Sequence, residues 1–247
     1  MLVAAPEGWD EACFAVPAIR ALMVSGLGIG VICREEQREF WETLAGLEIV
    51  AFSPRTKPKL LAADLRGNWQ AALVWEPGFA ADAVKLADVP RRLGPPHKKL
   101  AKLLTHPLAC SEKPLEHRVR FYLSAIEEMG IETRNPEFFA PTDIGIQPVA
   151  GAVLLSPDSD FGPSHEWPLD RWLEVAGHLR ETNRRITVAG MDGGRGLGKA
   201  LAAKLGDSTD FFAAAPLAGA LPLLAVHGLV VAADGSLEKE LAFFQHA

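Results

Sequence analysis

Short apolar runs alternate along this chain with longer stretches whose apolar residues recur at helical spacing, and that rhythm restricts the fold more than any single motif. Leu2 to Ala5, Ile29 to Cys33, Ile49 to Phe52 and Ala71 to Trp75 read as strands. Between and after them, Ala12 to Val24, Arg34 to Leu44, Lys59 to Leu65 and Ala80 to Leu86 read as helices, with Pro17 placed in the first turns of its helix. Strand, helix and strand in repetition imply right-handed crossovers and a parallel sheet. His117 to Met129 predicts a longer helix stopped by Gly130, the residue type that accepts a left-handed C-cap.

A connector of weak periodicity follows, punctuated by Pro136, Pro141 and Pro148, and then the rhythm restarts. Ala152 to Leu155, Ile186 to Ala189 and Leu229 to Ala233 read as strands, and Leu169 to Thr182 and Leu197 to Leu205 as helices. The reading is therefore α/β, with two Rossmann-like domains: residues 1–145 and residues 146–247, the second incomplete, facing a cleft. A chain of 247 residues accommodates this, since single cores stop growing at about 250 to 300 residues.

The formal charge of -6 removes the general attraction to phosphate backbones, so nucleic acid is not an expected partner. Cys13, Cys33 and Cys110 are far apart and lie in apolar settings, which suits a reducing compartment and no metal site. No basic segment precedes the first apolar run, so no signal peptide is expected. From Ala213 to Ala233 the chain is apolar, but Pro216, Gly219, Pro222 and Gly228 divide it into pieces too short to span a membrane. The expected location is the cytoplasm, with at most peripheral contact at the inner face of the membrane.

The stretch from Gly151 to Pro168 carries the chemistry. An apolar run breaks at Pro157 into small and polar residues, and Trp167-Pro168 opens the next helix. A strand-to-helix loop presents unpaired backbone N–H groups and the positive end of a helix dipole, a setting for a diphosphate. The alternative is a solvent-facing helix start capped by Ser164 or Glu166.

Pro157, Phe161-Gly162-Pro163 and Trp167-Pro168 resemble the opening of the second domain in glycosyltransferase family 9, the ADP-heptose:lipopolysaccharide heptosyltransferases. Asp158 stands where that family has glycine, and His165-Glu166 where it has Lys-Arg. Pro6 to Leu22 is similar to the family's first loop and helix, with Pro17-Ala18-Ile19-Arg20-Ala21-Leu22 matching and Glu11 falling on its aspartate. Val89-Pro90-Arg91-Arg92-Leu93-Gly94 resembles its Pro-Arg-Arg-Ile-Gly turn, and Val230 to Ser236 its donor-binding strand and loop.

The resemblance implies a GT-B fold and an inverting, metal-independent enzyme without a cofactor. Its expected reaction moves heptose from ADP-heptose to an anionic glycolipid of the lipopolysaccharide core. Glu11, or Asp10 beside it, is the expected base; both residues also suit the positive start of the following helix. Ser159, Asp160, Ser164, His165, Gly190, Asp192, Asp234, Gly235, Ser236 and Lys239 are the expected donor-binding residues. In that set His165 replaces a phosphate-contacting lysine, and Lys239 lies near the position of a family histidine. Arg91, Arg92, Lys98 and Lys99 form the best basic patch for an anionic acceptor, the lysines read as lying on a helix.

Two other readings compete. A catalytically decayed binding or assembly protein is favoured by the replaced Lys, Arg and His. A P-loop phosphotransferase is suggested by Gly193 to Lys199, which fits Gly-x-x-x-x-Gly-Lys, but Ala200 lacks the hydroxyl that holds magnesium. The family continues beyond the Asp234-Gly235-Ser236 loop with further helices and strands. The expectation is accordingly a truncated chain, a reduced homologue, or a homo-oligomer whose self-association covers the shortened second domain.

Overall fold

The computed structural model describes residues 1–110, 113, 115–159, 161–191, 196–206, 209–214 and 225–234. It divides into two compact units, Met1–Ala140 and Pro141–Ala247.

The first unit is a six-stranded parallel sheet. Its strands are β1 (Leu2–Ala4), β2 (Gly30–Arg34), β3 (Glu48–Phe52), β4 (Ala71–Val74), β5 (Arg91–Gly94) and β6 (His106–Pro107), in spatial order β3-β2-β1-β4-β5-β6. The helices are α1 (Trp9–Met23), α2 (Arg38–Glu42), α3 (Pro58–Leu65), α4 (Phe79–Leu86) and α5 (Arg118–Glu128). Strands β1 and β2 are buried nearly end to end because helices cover both faces of the sheet. On one face Leu2, Ile32, Phe52 and Val74 pack with Leu61, Leu65 and Val84 of α3 and α4. α1 packs along α5.

Several expected boundaries move. α1 starts at Trp9, three residues before the expected Ala12, so Pro17 sits mid-helix, buried in the core, instead of in the first turns. Asp10 and Glu11 lie in its first turn and Arg20 in its last, each at the end of the dipole that favours its charge. The single helix expected over Arg34 to Leu44 is a 3-10 turn, Glu35–Gln37, followed by five-residue α2. There the buried Gln37 amide donates to the carbonyls of Pro6 and Glu7 and so secures the loop after β1. Arg91 and Arg92 lie in β5, not in a turn. The residues from His97 to Leu104 form successive turns instead of the expected helix. α5 ends as predicted at Gly130, whose φ is +78°.

The second unit is a four-stranded parallel sheet of β7 (Val149–Ser156), β8 (Arg185–Met191), β9 (Asp210–Ala214) and β10 (His227–Ala232), in order β10-β7-β8-β9. α6 (Leu169–Glu181) and α7 (Leu197–Leu205) bury Trp172, Ala176 and Leu201 against Val153, Leu155 and Val188. β9 lies in a stretch with no strand reading in the sequence.

Numbered within its own unit, each sheet carries its first four strands in the order 3-2-1-4. The direction of winding reverses between strands 1 and 4: at β1 and β4 in the first unit, at β7 and β10 in the second. Beyond the carboxyl ends of such a pair, the loops diverge and leave a crevice, which is where open α/β sheets bind ligands.

Candidate functional site

At the reversal point of the first unit, the loop after β1 runs through Pro6, Glu7 and Gly8 into α1, and the loop after β4 through Trp75, Glu76 and Pro77 into α4. Glu76 Oε1 accepts the backbone N–H of Glu7 at 3.1 Å and ties the two loops together. The carboxylate of Glu11 faces α5. Oε1 accepts from Arg118 Nε at 2.8 Å, and Oε2 accepts from Arg118 Nε at 3.1 Å, from Nη2 at 2.8 Å and from the Tyr122 hydroxyl. The Arg118 guanidinium also lies 4.9 Å from the centre of the Phe121 ring, a cation–π distance.

A cavity of about 270 Å³ opens beside this network, lined by Trp75, Glu76, Pro77, Pro95, Pro96, His97, Arg118, Phe121 and Tyr122. It lies past the carboxyl ends of β4 and β5. Burial, with Glu11 and Glu7 adding like charge, pushes the Glu76 carboxyl above the usual glutamate range, against the smaller opposing influences of the Glu7 N–H and Arg118. Burial and the bond to Glu11 push the Tyr122 hydroxyl far above its ordinary value, so it is a donor at any physiological pH. The Trp75 indole N–H is buried and has no hydrogen-bond partner among the described residues.

The sequence candidates of this unit separate. Glu11 and Asp10 both lie at this edge, Asp10 Oδ1 accepting the N–H of Glu11 at 2.9 Å. Lys98 and Lys99 are exposed immediately after the cavity residue His97. Arg91 and Arg92 are at the opposite, amino end of β5. Arg91 helps line a different cavity of about 640 Å³ with Met1, Leu27 and Met129. Arg92 spends its guanidinium on the carbonyls of Leu103, at 2.6 Å, and Val89, at 2.6 Å. The four basic residues therefore do not form one patch.

At the reversal point of the second unit the joining groups are short. Ser159 Oγ donates to the Asp234 carbonyl at 2.6 Å, and the Ala233 N–H donates to the Ser156 carbonyl at 2.8 Å. His165 Nδ1 lies 3.6 Å from Asp234 Oδ2. Ser159, His165 and Asp234, three of the expected donor-binding residues, thus come together. Ser164 is exposed in the 3-10 turn between them. Neither Ser164 nor Glu166 caps α6: its N-cap is Pro168, with no side-chain cap bond, and Glu166 Oε1 turns back toward the Ser159 N–H at 3.4 Å. Gly190 lies in β8 against Gly198, where an added Cβ would sit 2.9 Å from the Ala189 carbonyl oxygen. Asp160, Asp192, Gly235, Ser236 and Lys239 lie outside the described residues.

Asp158 explains the glycine-rich segment. Its buried carboxylate accepts the backbone N–H of Leu197 at 2.9 Å and of Gly198 at 3.3 Å, occupying the start of α7 with a fixed negative charge. A phosphate approaching those amides would meet that charge, so this helix start is not a P-loop cradle, and the part of the motif from Gly193 to Arg195 lies outside the described residues. The three cysteines are buried, and burial pushes the Cys33 thiol up to about 12, which leaves it inert. No helix among the described residues is long and apolar enough to cross a membrane.

Two parallel sheets, each with polar loops gathered at its reversal point, define a doubly wound α/β fold. No protein-family model matches the sequence, and no curated protein sequence matches it. Solved structures do. The chain is similar to Escherichia coli ADP-heptose lipopolysaccharide heptosyltransferase II, with a TM-score of 0.78 and 18% identity over 96% of this chain and 79% of that one. It is similar to E. coli heptosyltransferase WaaC, solved with ADP-2-deoxy-2-fluoro heptose, with a TM-score of 0.75 and 14% identity over 98% of this chain and 84% of that one. A family 9 glycosyl transferase of Veillonella parvula gives a TM-score of 0.81 at 12% identity, over 97% of this chain and 76% of that one. The likenesses establish the α/β fold of GT-B glycosyltransferases and agree with the resemblance carried by Pro157 to Pro168.

Proposed function

We propose that this protein is a glycosyltransferase that takes a sugar from a nucleoside diphosphate donor, with ADP-heptose as the expected donor and an anionic glycolipid of the lipopolysaccharide core as the expected acceptor. The observation that carries the proposal is the pairing of charge types at the two reversal points, on a fold shared with enzymes that use such donors. One edge holds carboxylates and an arginine around a cavity, and the other holds backbone amides, hydroxyls and a histidine beside the carboxylates of Asp158, Glu166 and Asp234.

In this reading the second unit takes the diphosphate. The amides at the uncapped start of α6, the Ser164 hydroxyl and His165 supply donors for it, and the family resemblance adds Gly235 and Ser236, which lie outside the described residues. Those groups stabilise the negative charge that grows on the departing diphosphate as the glycosidic bond breaks, which is where such donors lower a barrier most. The first unit takes the acceptor. Arg118, His97 and the lysines that follow attract its acid groups, and Phe121 offers a face to a sugar ring. A carboxylate of this edge removes the acceptor proton, and attack from the side opposite the diphosphate inverts the anomeric centre. The chemistry proposed needs no metal or cofactor. Action at the inner face of the membrane follows from the acceptor.

Calorimetric titration with ADP, UDP and GDP tests the donor half, and transfer of heptose from ADP-heptose tests the whole. Binding of ADP in preference to UDP and GDP, with transfer to a lipopolysaccharide-core acceptor, is the expected result. Silence toward every nucleotide contradicts the proposal and favours a binding or assembly protein on the same scaffold.

A further inference from the structure

Glu7, Asp10, Glu11 and Glu76 lie at the same edge of the first sheet; Glu11, at the position expected for the proton acceptor, and Glu76, which lines the cavity, have different surroundings. Glu11 is committed. Oε2 already accepts from Arg118 Nε, Arg118 Nη2 and Tyr122, and Oε1 accepts from Arg118 Nε. A proton arriving on Glu11 would have to displace a charge-assisted pair and a hydroxyl bond. Glu11 is also absent from the residues lining the cavity, which is walled on that side by its partners Arg118 and Tyr122.

Glu76 is placed in the opposite way. It is the one carboxylate among the described residues lining the cavity. Its Oε1 is held by the Glu7 N–H, which fixes the orientation of the carboxylate. Oε2 has no bond among the described residues. The groups that face it are Glu7 and Glu11, Arg118 and Tyr122, and His97 also lines the cavity. A half-buried carboxylate facing two others and one arginine holds a proton more readily than one in water, and a base is most effective when its affinity approaches the working pH.

Resting on the glycosyl-transfer reading above, we infer that Glu76 Oε2 is the general base of the reaction and that Glu11 positions Arg118 and Tyr122. The acceptor hydroxyl gives its proton to Glu76 Oε2 while its oxygen forms the new bond to the anomeric carbon of the sugar nucleotide. The bond from that carbon to the diphosphate oxygen breaks, and its electron pair leaves with the nucleoside diphosphate. Glu76 then returns the proton to water. Arg118, kept in place by Glu11, holds an acid group of the acceptor beside the carboxylate. A general base contributes roughly 10² to 10⁴ in rate.

The test compares Glu76→Gln, Glu76→Ala and Glu11→Gln in a sugar-transfer assay over pH, with ADP-heptose as donor. Glutamine retains an oxygen for the Glu7 N–H, so Glu76→Gln keeps the tie between the loops. The expected result is a fall of kcat by about 10² or more with the donor KM unchanged, and loss of the acid limb of the kcat profile. Formate added to Glu76→Ala restores part of the rate, as a purely structural role would not allow. Glu11→Gln lowers kcat but keeps the acid limb. Wild-type turnover with Glu76→Gln retaining both kcat and the acid limb overturns the assignment and leaves the glycosyl-transfer reading intact. No transfer by the wild-type chain from any sugar nucleotide overturns both.

Discussion

The two units repeat the strand order 3-2-1-4 yet finish their carboxyl edges with different materials. In the first, long charged side chains from distant helices do the joining: Glu11 of α1 binds Arg118 and Tyr122 of α5, and Glu76 reaches across to Glu7. In the second, the joining groups are short and partly backbone: Ser159 to the Asp234 carbonyl, Asp158 to the amides of α7. The same topology therefore offers a charge-rich pocket in one place and a cluster of short hydroxyl, amide and carboxylate groups in the other. Under the proposed glycosyl transfer, proton removal falls to the former and the leaving diphosphate to the latter, a division of labour on one repeated scaffold.

The sharpest way to break the contrast is Arg118→Ala. Glu11 and Arg118 are only 24% and 29% exposed, so the change strands a largely buried carboxylate. A loss of about 2 to 3 kcal/mol is expected in urea unfolding, between the cost of a surface pair and that of a fully buried one. Activity should vanish with it. Asp158→Ala is the matching cut in the second unit. It leaves two amides at the start of α7 without their acceptor and should cost about 1 to 2 kcal/mol, while ADP affinity changes little because that helix start is not assigned to the nucleotide.

Glu76→Gln sharpens the picture through pH. Burial raises the folded-state value of this carboxyl above its unfolded one, so its contribution to stability is fully present below the ordinary glutamate range, near 4.3, and is lost as pH rises through the folded value. The glutamine variant does not suffer that loss. Thermal unfolding should find it more stable than the wild type at neutral pH and no more stable below about pH 4, a gain in stability at a site expected to give up rate. The smallest effect belongs to His165→Lys. Its partner Asp234 is 51% exposed and His165 itself 47%, so the pair contributes less than about 1 kcal/mol to folding. A permanent positive charge there should instead tighten ADP several-fold in calorimetry.

How much of this was legible in the sequence follows from how local each signal is. The buried strands β1, β2, β4 and β7 announced themselves because both faces of each are covered, which leaves continuous apolar runs. β5 and β6 stayed hidden: one begins Arg91-Arg92 and the other is the two-residue edge His106–Pro107, so neither shows an apolar run. The break in the Arg34 to Leu44 helix comes from Gln37 bonding to carbonyls thirty residues earlier, a contact no periodicity records. At the site, Glu11 and Ser159, His165 and Asp234 were reachable from strand-end logic and the resemblance. Arg118 and Tyr122 were not, since their partner is 107 and 111 residues away in sequence. Glu76 carried a usable signal: an acidic residue one step beyond a buried strand, in Val74-Trp75-Glu76-Pro77-Gly78, with the same placement that drew notice to Asp234.

Backbone hydrogen exchange with and without saturating ADP tests the division of labour most directly. The account predicts slowed exchange at Ser159, His165 and the first amides of α6, with Glu7, Glu11 and Glu76 unchanged. Slowing centred on the loops after β1 and β4, with the second unit indifferent to the nucleotide, would contradict it.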